Sequence, residues 1–322
     1  MCGIFGIYLN DENSNIYNYI LNGLTVLQHR GQDSAGICTL KNNKFFFHKN
    51  NGKVSEVFNS SKHIGDLLEG NIGLGHVRYS TISSLNVDLC QPFYTNMPYG
   101  LALCHNGNIV NTDELRSIIT KQYMHNNTDS DSQLLLHLFA LKLSQINHSD
   151  NSVINSNTFF EIVDQIYALV KGSYSVIILI NGFGMLAFKD PYGIRPLCFG
   201  KSEDSKNYII ASESVAIKYN DYFLEREINS GECVFIDKNG NFFSRQIIQK
   251  PDLRPCLFEY IYFSRPDSII NGILVYQTRK KMGEILGLKI QNEFKDIINE
   301  IDVVMPVPDT ARIAALKVSY IL

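Results

Sequence analysis

Tryptophan is absent from the 322 residues, and that absence carries no functional meaning. Other absences exclude whole classes. No apolar run approaches the roughly 20 residues that span a bilayer, so no membrane partner is expected. No charged stretch followed by an apolar one opens the chain, because Asn10, Asp11 and Glu12 interrupt it early; no signal peptide is read there, and a cytoplasmic location is expected. The formal net charge is −3 and no basic stripe appears, which speaks against a nucleic-acid partner. The seven cysteines are odd in number and form no CxxC pair, which excludes a disulfide framework and a zinc knuckle. No internal repeat is visible.

Apolar residues make up 45% and charged residues 19% of the chain, the balance of an ordinary globular protein. Residues 2 to 9 read as a buried strand and 16 to 28 as a helix with Ile16, Tyr19, Ile20, Leu24 and Leu27 at helical spacing. Short strands are expected near 36–40, 44–48, 72–77 and 101–104. Leu134 to Leu143 reads as an amphipathic helix, and Phe159 to Val170 as another. Tyr174 to Ile180 and Met185 to Phe188 flank a turn-rich Asn-Gly-Phe-Gly loop, a hairpin signal. Further strands follow near 197–199, 208–211 and 233–236. Strands grouped with strands favour layered sheets. The asparagine-rich stretch 145–157 reads as a solvated loop.

The character changes near Lys250. A helix over 278–291 places Met282, Ile285, Leu286 and Ile290 on one face, Val303 to Val307 reads as a buried strand, and a further helix starts at Thr310. A strand between two helices is the beginning of an α/β unit. The chain reaches Leu322 inside that last helix without a C-cap signal, which reads as a domain cut short.

Cys2 directly follows Met1. Removal of the methionine would place a thiol and a free α-amine on one residue, and the amine, with a reference pKa of about 8, can serve as general base for the thiol. Alone, such a cysteine reads as a buried structural thiol. Polar and glycine-rich clusters follow at 29–36, 75–81 and 105–108, and Ser130-Asp131-Ser132 precedes a helix. Taken singly, Asp131 reads as a helix cap and Asn106 as a turn former. His29, His76 and His105 have no metal-ligand spacing and are taken as structural.

In order and spacing, MCGIFGIY, QHRGQDSAGI, GHVRYST, QPFY, HNGNIVN and SDSQLLL resemble the signatures of class II glutamine amidotransferases. MLAFKDPYGIRPL, ASESVA, CLFEYIYFSRPDS and VVMPVPDT are similar to the amidophosphoribosyltransferase branch. The resemblance implies an α+β, four-layer αββα N-terminal-nucleophile hydrolase domain over 2–250, followed by the incomplete start of an α/β type I phosphoribosyltransferase domain over 251–322. It implies glutamine as substrate and Cys2 as nucleophile. Asn106 (side chain) and Gly107 (backbone N–H) would be the oxyanion hole, Arg78 the grip on the glutamine carboxylate and Asp131 the partner of its ammonium. Arg30 and Gly31 would line the pocket. The loop Tyr79 to Leu89 resembles one that closes over glutamine, departing from it at Ser80 and Leu85-Asn86.

No cofactor is implied for glutamine hydrolysis. The family's second reaction uses phosphoribosyl pyrophosphate and magnesium and needs an Asp-Asp-Ser strand followed by a Gly-Thr-Thr loop, neither of which occurs here. The resemblance therefore implies glutaminase chemistry alone for this chain, a homo-oligomer as the family's usual state, and no iron–sulfur cluster despite Cys256. Two alternatives stay open. One is the glutaminase half of another amidotransferase, such as glucosamine-6-phosphate synthase; the other is a non-catalytic remnant serving as an interaction module.

Overall fold

A computed structural model describes residues 2–58, 64–79, 86–122, 124–146, 154–296 and 298–322. It divides into two units, Met1–Pro255 and Cys256–Leu322. The division falls five residues beyond the change in composition at Lys250. The strap before it still belongs to the first unit: Arg254 N–H donates to Tyr192 O (2.8 Å) and its guanidinium lies over the Tyr192 ring.

In the first unit the elements run β1 (Gly3–Tyr8), α1 (Tyr17–Val26), β2 (Ser34–Lys41), β3 (Lys44–Asn51), α2 (Val54–Val57), α3 (Ile64–Leu67), β4 (Ile72–Arg78), β5 (Phe93–Thr95) and β6 (Leu101–Ile109). Then come α4 (Thr112–Thr120), α5 (Asp131–Ser144), α6 (Ser156–Leu169), β7 (Gly172–Ile180), β8 (Gly184–Lys189), β9 (Cys198–Lys201), β10 (Tyr208–Ala211), α7 (Ser214–Lys218), β11 (Phe223–Glu227), β12 (Glu232–Asp237) and β13 (Phe242–Gln246). Among the described residues these strands form two antiparallel sheets, ordered β11-β9-β10-β1-β4-β2-β3 and β13-β12-β8-β7-β6-β5.

Strand alternation builds the layers. From β1, Ile4 and Tyr8 point into an inter-sheet core with Ala102, Cys104, Ile177 and Leu179, while Phe5 and Ile7 point the other way, onto Ile20 and Leu24 of α1. From β7, Val176, Ile178 and Ile180 pack beneath α5 and α6. Both faces of each sheet are thus covered, which is why these strands read as unbroken apolar runs. The order is helix, sheet, sheet, helix. Asp190, just after β8, is buried and accepts from the N–H groups of Tyr174, Tyr192 and Ile194, fixing the Asp-Pro-Tyr-Gly turn.

Two expectations for this unit change. The strand expected to end at 104 continues to Ile109, because β7 pairs with it as far as Ile109↔Gly172; His105 to Asn108 are strand residues, not a turn. And α5 is not amphipathic. Residues 132–141 are all buried, because the helix is enclosed by β5, β6, α4 and α6.

The second unit holds a two-residue hairpin, β14 (Ile269–Ile270) with β15 (Ile273–Leu274), then α8 (Val275–Glu293) and α9 (Arg312–Ser319). The buried stripe of α8 is Val275, Arg279, Gly283 and Gly287, whereas Ile285 and Leu286, expected to face inward, are exposed. The reason is close packing at glycine: a Cβ on Gly283 would lie 2.3 Å from Ala314 O, and one on Gly287 2.9 Å from Ile321. The helix pair meets where side chains are missing. The expected buried strand at 303–307 is not formed. Val303, Met305 and Val307 are 76%, 84% and 78% exposed in irregular backbone; a parallel strand needs neighbours on both edges and cover on both faces, and none is present among the described residues. No described helix is long and apolar enough to cross a membrane.

Candidate active site

Cys2 stands at the head of β1 and is half-buried. Its chain is held at both polar atoms. The main-chain nitrogen donates to Asn106 Oδ1 at 3.2 Å, and the carbonyl accepts from Arg30 Nε at 2.9 Å. Gly3 lets this end of the strand lie flat, since a Cβ there would fall 2.8 Å from Val77 Cγ2. All seven cysteines are free. Burial pushes the thiols of Cys38, Cys104, Cys198 and Cys233 well above the ordinary range, so those four remain protonated and unreactive.

The continuation of β6 supplies the facing wall. Its inward positions Ala102 and Cys104 lead on to Asn106 at the open end of the inter-sheet layer. Asn106 is fully buried, and its Nδ2 has no hydrogen-bond partner among the described residues. A buried unsatisfied donor costs about 1–3 kcal/mol. Here it sits on the same amide whose oxygen holds the Cys2 nitrogen. On the other edge of β6, His105 N–H donates to Gln91 Oε1 (2.7 Å) and Ile109 N–H to Asp131 Oδ2 (3.0 Å). Antiparallel alternation places the Gly107 N–H on that same edge, between them. A side chain at 107 is impossible, as its Cβ would lie 1.9 Å from Ser173 O.

Arg78 ends β4. Val77 pairs with Gly3, so Arg78 lies alongside Cys2 at the same end of the sheet. Its half-buried side chain makes no hydrogen bond or ion pair with another described residue. Gly31 lies against its main chain: a Cβ there would fall 2.3 Å from Arg78 C, and Asp33 N–H donates to Arg78 O at 3.0 Å. Asp131 opens α5, where the helix dipole favours a carboxylate. It is not the cap, which is Ser130. Its Oδ2 is anchored to the strand that bears Asn106 and Gly107, and its Oδ1 accepts from Ser132 Oγ at 3.2 Å. The structure therefore gathers Cys2, Asn106, Gly107, Arg78 and Gly31 at one end of the sandwich, with Asp131 tied to the same strand.

A glutamine amidotransferase domain matches residues 76–219. Over its whole length the chain is 43% identical to the amidophosphoribosyltransferase of Pasteurella multocida and 44% identical to that of Escherichia coli, spanning 63% of each. The chain thus covers less than two thirds of those relatives. In structure it is similar to a glutamine phosphoribosylpyrophosphate amidotransferase from B. subtilis complexed with ADP and GMP. The TM-score is 0.81 at 32% identity, covering 99% of this chain and 64% of that one. Over its whole length the chain is similar to amidophosphoribosyltransferases, and it matches a glutamine amidotransferase domain over part of that length. The likeness to these relatives runs through Cys256–Leu322.

Within this candidate site, one expected residue is engaged in contacts inside the protein. Arg30 was expected to line the pocket, but its side chain is wholly buried, its Nε on Cys2 O and its Nη1 on Glu213 Oε1 at 2.6 Å. Its guanidinium is committed to protein acceptors and holds the main chain of Cys2. Sequence reasoning also assigned no role to Gln91, Ser132 and Glu213, although each lies inside a quoted motif. Gln91 Nε2 donates to Ser132 Oγ (3.1 Å), which also meets His105 Nδ1 (2.9 Å); this buried cluster locks α5 to β6. Burial pushes His105 downward, against the pull of Asp131, and pushes His76 down to about 3. Both stay neutral at physiological pH, as structural histidines would. Of the loop expected to close over glutamine, residues 80–85, with Ser80 and Leu85, lie outside the described residues, as do 147–153 of the asparagine-rich loop.

Proposed function

We propose that the unit Met1–Pro255 hydrolyses the side-chain amide of glutamine, with Cys2, freed of Met1, as nucleophile. The observation that carries this reading is the Asn106 amide, which holds the Cys2 nitrogen through Oδ1 and leaves Nδ2 buried and, among the described residues, unpartnered beside it. An oxyanion formed at the attacked carbonyl would give that donor its acceptor, and a donor fixed in advance stabilises charge that appears only in the transition state.

The steps follow. The α-amine takes the thiol proton, and Sγ bonds to the amide carbon. The tetrahedral oxyanion is met by Asn106 Nδ2 and the Gly107 N–H. The C–N bond breaks as the ammonium returns its proton to the leaving nitrogen, giving ammonia and a glutamyl thioester. Water then attacks with the amine again as base, releasing glutamate and restoring the thiol. Arg78, with a planar fork suited to a carboxylate, would take the substrate's α-carboxylate, and Asp131 its α-ammonium. Gly31 provides the close approach that keeps Arg78 beside Cys2.

In a chain of the relatives' full length, the ammonia would displace pyrophosphate from phosphoribosyl pyrophosphate, giving phosphoribosylamine for purine synthesis. Magnesium is implied for that reaction. No group of three or more His, Cys, Asp or Glu among the described residues can hold a metal ion, so no step on this chain is drawn through it. A cytoplasmic location fits seven free thiols. The unpartnered Asn106 donor favours a working glutaminase over a non-catalytic remnant.

The test is glutamate release from glutamine by the chain with Met1 removed. Activity is expected in wild type and abolished in Cys2→Ala. Equal activity in Cys2→Ala, or full activity with Met1 retained, contradicts the mechanism.

A further inference from the structure

We infer that Glu213 is a positioning residue for the nucleophile, acting through Arg30 on the main-chain carbonyl of Cys2; the inference rests on the glutaminase reading above.

Glu213 occupies the cap position of α7, yet its side chain makes no cap bond to that helix. It turns instead into the protein, where it is 1% exposed. There Oε1 accepts from Arg30 Nη1 at 2.6 Å and lies 2.7 Å from His29 Nε2. Arg30, equally buried, uses Nε for Cys2 O. The chain of contacts from Glu213 to the nucleophile is therefore two bonds long and shielded from water. The preceding residue completes the clamp: Ser212 Oγ accepts from Ile4 N–H and Ser212 N–H donates to Ile4 O, both at 3.0 Å. Ser212 and Glu213 thus grip the strand on either side of Gly3, one directly and one through Arg30.

Chemistry favours this over a purely architectural role. Arg30 carries a permanent charge in a buried site beside the reacting residue. An uncompensated buried cation would be costly and would reorient toward the acceptors around it, the Cys2 carbonyl among them. With Glu213 in place, the guanidinium has a fixed fork, one arm on the carboxylate and one on Cys2. Moving that carbonyl swings both Sγ and the α-nitrogen of the same residue relative to Asn106, and misplacement of a nucleophile lowers turnover while leaving substrate affinity largely intact.

The experiment compares the full chain, Met1 removed, with Glu213→Gln and Glu213→Asp, measuring kcat and KM for glutamate release together with thermal unfolding. Gln keeps the size but removes the charge; Asp keeps the charge but withdraws it by one methylene. Folded Glu213→Gln is expected to lose about tenfold or more in kcat with KM changed less than about threefold, with Glu213→Asp intermediate. Should Glu213→Gln not fold, Glu213→Asp is expected to fold and to lose at least about threefold in kcat. A folded variant with smaller kcat loss overturns the inference, as does a loss confined to KM. Failure of both variants to fold overturns it too, because the carboxylate would then be holding the fold. A wild-type chain that releases no glutamate sinks the glutaminase reading, and this inference with it.

Discussion

The two units spend their apolar residues differently. In Met1–Pro255, three layers of Ile, Leu, Val and Phe side chains fill the spaces between helix and sheet, sheet and sheet, and sheet and helix. Among the described residues of Cys256–Leu322 the buried cluster is Tyr260, Ile270 and Val275, while Leu257, Phe258, Tyr262, Ile285 and Leu286 stand exposed. A site needs a frame that holds a donor in place even when it lacks a partner. Asn106 Nδ2 has such a frame, between two sheets covered on both faces. A segment with little core cannot hold a polar group at such a cost.

That contrast breaks most easily at the level of stability. Phe139→Ala, in the enclosed helix α5, should cost about 3–5 kcal/mol, whereas Leu286→Ala on exposed α8 should change unfolding by no more than about 0.5 kcal/mol. Urea unfolding of the two variants checks this, and comparable losses would show that the second unit has a core of similar weight. Asn106→Ala comes next. It should lower kcat by about 10²–10³ with KM little changed, and an unaltered kcat would mean that the buried donor is not the oxyanion partner. Arg78→Ala and Asp131→Ala should each lose bonds to a charged group worth about 1.5–3 kcal/mol, or roughly ten- to a hundredfold in kcat/KM, chiefly through KM. Steady-state kinetics separates the two patterns; the same KM-dominated loss in Leu286→Ala would erase the distinction between the units.

The smallest effect concerns His76. Burial pushes it from 6.5 to about 3. With the folded value depressed, the unfolded chain takes up the proton first. The stability present above 6.5 is lost as pH falls from there toward 3. His76→Phe should make that decline shallower, read as the difference between urea midpoints at pH 7 and pH 5. Identical slopes in both proteins would show that His76 does not stay neutral in the fold.

Much of the first unit was legible in the sequence because its strands are buried on both faces and bounded by turns. Gly3–Tyr8 and the hairpin Gly172–Lys189 are of this kind. The misreadings share a cause, which is that tertiary partners decided the outcome. Asn106-Gly107 has turn chemistry, but β7 runs far enough to keep it in a strand. Leu134–Leu143 shows apolar spacing without revealing that neighbours cover every side. In α8 the seam follows two glycines, which a search for apolar faces overlooks. The short strands Phe93–Thr95, Phe223–Glu227 and Phe242–Gln246 carry half-exposed or polar residues and gave no clear alternation. At the site, the ordered motifs named residues the structure brings together around Cys2. The link from Arg30 to Glu213 spans 183 positions, and no local pattern announces a charge partner at that distance.

The central claim, that one thiol among seven is set for glutamine chemistry, is met most directly by covalent labelling. The chain, freed of Met1, would be treated with a glutamine-mimicking electrophile, with and without excess glutamine, and its adducts mapped by peptide mass. The account predicts a single adduct, on Cys2, suppressed by glutamine, with the buried thiols of Cys38, Cys104, Cys198 and Cys233 unmodified. Adducts spread over several cysteines, or labelling of Cys2 that glutamine does not slow, would contradict it.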